Sequence, residues 1–169
     1  MKRRTLGAAG GRLLRSRQVL DDCRRATALA DSAASGQDLR VFWVAAISLA
    51  RAVGHVLSNV DAVDDPAVAE ANRLAFTGWQ SNRPANAVYW DFVCAERNLV
   101  LKQYELNWQY DPSLVTADGD LFELDAGLYC AIDSGPFEGA DIRDMLDMAI
   151  DWWDRQLDWI EADALSRRA

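Results

Sequence analysis

Apolar residues return at three- and four-residue steps along most of this chain, in stretches cut apart by proline and glycine, and that rhythm restricts it to packed helices. The most regular stretch is the last, where Leu146, Ile150, Trp153, Leu157 and Ile160 make one stripe of a helix over 141–164. Phe42, Ala46, Leu49, Val53 and Val56 predict a core helix over 38–59, and Leu13, Val19, Leu20, Cys23, Ala26 and Leu29 predict another over 11–34 that ends near Ser35-Gly36. Asp65-Pro66 opens a helix over 65–81, because aspartate caps free N–H groups and proline suits the first helical position; Arg83-Pro84 stops it. Over 86–108 there are two apolar bands, Phe92-Ala95-Leu99-Leu106 and Tyr89-Val93-Val100-Tyr104, with Arg97 inside the second. After Asp111-Pro112 the rhythm changes, and Asp118-Gly119 between short β-prone runs signals a hairpin turn. The expected fold is therefore all-α, a four- to five-helix bundle with a small β-hairpin before the last helix.

A chain of 169 residues fits one domain with a real hydrophobic core. Its expected organisation is a flexible basic arm over 1–10, a single helical domain over 11–164 and a short tail over 165–169. Cys23, Cys94 and Cys130 have no metal-ligand spacing and are odd in number, which predicts reduced thiols, no metal and no cofactor. The N-terminus lacks an apolar signal core, and no apolar run is read as approaching the roughly 20 residues that span a bilayer. A cytoplasmic protein with no membrane partner is expected.

The net charge of −8 is unevenly spread. Residues 1–25 carry +6, whereas residues 111–165 carry −13. Attraction between the two ends predicts that the first and last helices pack side by side, an account preferred over a basic arm on RNA because the whole chain is acidic.

Chemistry is hinted at only in DFVCAERNLVLKQYELNW, residues 91–108. Arg97 and Tyr104 are seven residues apart, so on a continuous helix they return to nearly one face, with Lys102 nearby. The bland reading of Arg97 is a guanidinium snorkelling from a core helix and paired with Asp91, Glu96 or an acid of the final helix.

This segment, with the helical hairpins around it, resembles the HEPN superfamily of small helical bundles found in toxin–antitoxin and defence systems, over residues 11 to 161. The family motif is Arg-x4-6-His, often beginning Arg-Asn and sometimes continuing to a Tyr two residues past the His. Arg97, Asn98 and Tyr104 match its first, second and optional last positions; Lys102 stands at the first of the three positions allowed for the His, and none of them carries an imidazole. The resemblance implies an RNase site at a homodimer interface, and in some members a nucleotidyltransferase antitoxin that attaches AMP to the Tyr. Without the His, the implied function is a catalytically degenerate RNA- or partner-binding protein, with Arg97 and Asn98 on RNA and Lys102 and Tyr104 beside them. Metal-independent cleavage needs a group that titrates near neutrality, and a lysine would have to lose several pKa units to serve. Arg97 can still hold a phosphate with its planar fork, and Lys102 as a point charge.

Two alternatives stand beside this one. The first is a metal-independent endoribonuclease in which Lys102 or His55 substitutes for the base. His55 is the sole histidine and lies one turn after Arg51, so the two share a helix face; its bland reading is a ring near a helix C-terminus, favoured by the dipole. The second is an acidic protein-interaction module. The acids at Asp141, Asp144, Asp147, Asp151, Asp154 and Asp158 read as a solvated face, Asp118-Gly119-Asp120 as a turn without the other ligands of a calcium loop, and the seven tryptophans as packing. Trp152 and Trp159 lie off the main stripe and are expected to cover a dimer surface or the hairpin.

Overall fold

Five helices form among the described residues where the sequence places its apolar stripes, but two of their ends do not fall where the punctuation predicts. In a computed structural model that describes residues 14–109, 113–123 and 129–168, α1 spans Arg15–Asp31, α2 Gly36–Asp64, α3 Pro66–Ser81, α4 residues 88–103 and α5 Ile142–Ser166. The expected arm over 1–10 lies outside the described residues.

The starts of α2, α3 and α5 are capped by side chains. Ser35 Oγ accepts from the N–H of Asp38, Asp65 Oδ1 from Ala67 and Val68, and Asp141 Oδ1 from Arg143, each satisfying donors that the first helical turn leaves open. Helix α1 is capped from a distance instead. The buried Asp61 carboxylate accepts from the N–H groups of Arg15 and Ser16, both at 2.9 Å.

Asp61 reaches that position because α2 does not stop near residue 59 as predicted. A π-helical turn over Leu57–Asp61 takes in one extra residue, turning both Leu57 and Asp61 inward, and the helix continues to Asp64. By length and composition α2 is long and apolar enough to cross a bilayer, which corrects the reading of its sequence as too short. Leu39, Trp43, Ala46, Ile47, Ala50, Val53 and Leu57 on this helix are nevertheless buried in the bundle core.

Helix α5 closes the bundle. All five residues of its predicted stripe are buried, and Trp153 lies against α2 at Gly54, where an added Cβ would stand 3.0 Å from the Trp153 ring. Trp152, expected on a dimer surface or the hairpin, is buried instead: its ring stacks on Tyr89 at 5.0 Å and 15°, and its indole N–H donates to Asn86. Trp79 and Trp90 complete the same aromatic layer. Trp159 is exposed.

The oppositely charged ends do meet. Arg17 of α1 pairs with Asp154 at 3.1 Å, with Glu161 at 2.9 Å and with Asp158, while Arg24 also binds Asp154. Part of the acidic stripe on α5 is thus a seam to α1, and Asp144, Asp147 and Asp151 remain its solvated part.

This packing makes two stability outcomes measurable by urea unfolding. Gly54→Ala gains about 1 kcal/mol of helix propensity but forces a methyl group onto a fully buried indole, an overpacking that costs about 1–3 kcal/mol; the variant will be destabilised on balance. Asp61→Ala removes the cap of α1 and will lower stability by about 2 kcal/mol, the upper end of the capping range, with Asp61→Asn losing less.

Candidate functional site

Helix α4 begins with a wide π-helical stretch, Val88–Cys94, and narrows to ordinary α-helix over Ala95–Gln103. Such turns re-aim side chains, and they recur at functional sites. Here the buried Tyr89 sits against α5 while Arg97 lies one turn past the π segment, half-buried.

Tyr104 departs from expectation. The helix ends at Gln103, and Tyr104 takes a left-handed conformation at φ 54° and ψ 35°, its N–H bonding back to Val100 at 2.9 Å. The continuous helix that would have aligned Arg97 with Tyr104 stops one residue too early. The cause is tertiary: Asn107 and Trp108 dock on the returning loop, where Asp133 N–H donates to the Asn107 carbonyl and Trp108 bridges Ile132. Tyr104 is left 69% exposed, with the Arg40 guanidinium 6.0 Å from its ring centre. Lys102 is exposed in the last turn of the helix.

Arg97 gathers with different partners. Its guanidinium donates to Asn98 Oδ1 at 3.1 Å, and it has no carboxylate partner among the described residues, so the expected pairing with Asp91, Glu96 or an α5 acid does not form. Glu96 is buried instead, accepting from Asn107 at 3.1 Å, while its second oxygen has no hydrogen-bond partner among the described residues. From α2, Arg51 lies over the Tyr89 ring at 5.6 Å, and it too lacks a carboxylate among the described residues. His55 lies one turn beyond Arg51, and its pKa is held below the ordinary histidine value by partial burial and by the charges of Arg51 and Arg97. The Arg97 charge on α4 thus reaches His55 on α2, a relation between two helices that no local motif encodes.

Two further groups border this seam. Burial raises the Cys94 thiol pKa, despite nearby Arg51 and Arg97, and lifts the Tyr89 phenol to about 12, so both are neutral at physiological pH. The arrangement is two guanidinium cations beside a neutral imidazole, able to hold a phosphate through planar forks. Sequence reasoning reached Arg97, Asn98, Arg51 and His55; it missed Tyr89 and Cys94 as flanks of the site and Glu96 as a buried acid. The Arg51-to-His55 spacing was the available signal.

The chain has no match among family models, curated proteins or solved structures.

Two measurements check this geometry. Because burial raises the Glu96 pKa, the folded chain keeps a proton that the unfolded chain releases above about 4.5. Stability consequently falls as pH rises from that value through the raised one. Glu96→Gln keeps the acceptor for Asn107 and will reduce the fall, to which Asp31 and Asp147 also contribute, leaving the variant more stable than wild type at neutral pH. Separately, the His55 titration followed by NMR will have a midpoint below 6.5 that moves upward in Arg97→Ala.

Proposed function

We propose that this chain is a HEPN-like, catalytically degenerate RNA-binding protein of the cytoplasm, related to toxin–antitoxin systems. Its phosphate site is Arg97 with Asn98, joined by Arg51 and His55. One observation carries the reading: the charges of two guanidinium groups on separate helices both act on His55, and neither has a carboxylate partner among the described residues. In an acidic protein with −8 net charge, cations left unpaired beside one another favour an anion from outside.

The small hairpin before the last helix belongs to the same reading. The antiparallel register that sets Leu114 opposite Phe122, with Gly119 at φ 87° in the turn, supports it. A homodimer through α2 and α4 is supported by Val41 and Leu101, exposed apolar side chains on those helices. The exposed Tyr104 suits modification by a nucleotidyltransferase antitoxin, although its neighbour is Arg40.

A second reading, metal-independent endoribonuclease, is favoured by the neutral imidazole near Arg97. His55 would take the ribose hydroxyl proton from a position on α2, the role that Lys102, exposed at the end of α4, is ill suited to fill.

Fluorescence anisotropy with a mixed-sequence single-stranded RNA tests the binding. Wild type will bind weakly at low salt, and Arg97→Ala will lose affinity about tenfold, the size expected for losing hydrogen bonds between charged groups, with a salt slope smaller by roughly 0.7. Unchanged affinity in Arg97→Ala removes it from the site. In excess EDTA the same RNA will stay intact; cleavage that disappears in His55→Ala and Arg97→Ala, leaving cyclic-phosphate ends, would establish the nuclease instead.

A further inference from the structure

Arg40 lies on α2 in the turn after the Ser35 cap, and two adjoining cavities meet at it. One, of about 250 Å³, is lined by Arg40, Val44, Val100, Tyr104 and Leu106. The other, of about 410 Å³, is lined by Gly36, Gln37, Arg40, Leu106 and Trp108. The left-handed turn at Tyr104 shapes the first of them, because it carries the chain off the helix and leads Leu106 back beside Arg40.

Among the described residues the Arg40 guanidinium has no carboxylate partner and its buried Nε no hydrogen-bond partner. Arg40 lines both cavities with no carboxylate among the described residues to balance its charge, so an anion entering from outside is favoured. Val44, Val100 and Leu106 make the smaller lobe largely apolar, whereas the first turn of α2 brings the positive end of the helix to the larger one. Small-molecule sites combine apolar walls with a few placed polar groups in this way.

We infer that the Arg40 cavity is a binding site for a small monocarboxylate with an apolar body. The planar guanidinium takes the carboxylate, and the body enters the lobe formed by Val44, Val100 and Leu106. A single cation matches a single negative charge, and its fork matches a carboxylate's two oxygens. The site is separate from the proposed phosphate site, which uses none of these residues.

Octanoate is the probe, with acetate lacking the body and octanol lacking the charge. Titration of the full chain, followed by calorimetry and by tryptophan fluorescence, to which Trp108 at the cavity wall contributes, will show saturable octanoate binding at least tenfold tighter than either control. Arg40→Met, which keeps the stem, will weaken it at least tenfold, and Arg40→Lys will fall between. Leu106→Trp places an indole at the wall the two lobes share and will weaken binding at least tenfold while leaving residue 40 as arginine, which keeps the test decisive if Arg40→Met does not fold. Arg97→Ala will bind octanoate as wild type does, even if RNA binding fails. Absence of saturable binding, octanol binding as tight as octanoate, or full affinity in folded Arg40→Met or Leu106→Trp would overturn the inference.

Discussion

The close approach of Trp153 to Gly54 is the contact on which the rest of the arrangement depends. A side chain at residue 54 would hold α5 away from α2; glycine lets the indole seat there, buried completely. The neighbouring Trp152 is then delivered to Tyr89, and Tyr89 in turn lies beneath Arg51. Packing of one tryptophan thus sets the floor of the cationic seam two layers away. The π-helical stretch over Val88–Cys94 is what allows Tyr89 to face this layer while Arg97 remains beside α2.

Charge is distributed so that many of the acids are committed elsewhere. Asp154, Asp158 and Glu161 hold Arg17 and Arg24 along the α1–α5 seam, and Asp61 and Asp141 are spent on helix starts. Elsewhere on α2 and α4, Arg40, Arg51 and Arg97 have no described carboxylate partner. A surface ion pair contributes little, typically about 0–1 kcal/mol, so the seam is better understood as fixing how α1 and α5 sit.

The helices were legible because their signals are local. Asp65-Pro66 announces α3, and the Leu146-to-Ile160 stripe announces α5, without reference to the rest of the chain. The end of α4 was not legible, since Lys102, Gln103, Glu105 and Leu106 all favour helix and only the docking of Asn107 and Trp108 on the returning loop stops it at Gln103. That loop is distant in sequence. The π turn at Leu57–Asp61 was hidden for a similar reason, because its stabilising role is to carry Asp61 to the start of α1. At the site, Arg97 and the Arg51–His55 pair were each visible within their own helix; their meeting depends on how α2 and α4 pack. Arg40 carried no motif, only its place among Leu39, Trp43 and Val44 on an apolar helix.

In the proposed function, Arg51, His55 and Arg97 act together on one phosphate-bearing ligand. NMR of the arginine Nε–H and His55 ring resonances during titration with a short single-stranded RNA tests it most directly. If the three act together, their signals will shift along one saturating curve while Arg40 stays still. Shifts absent from these three, or spread evenly over every arginine, would contradict it.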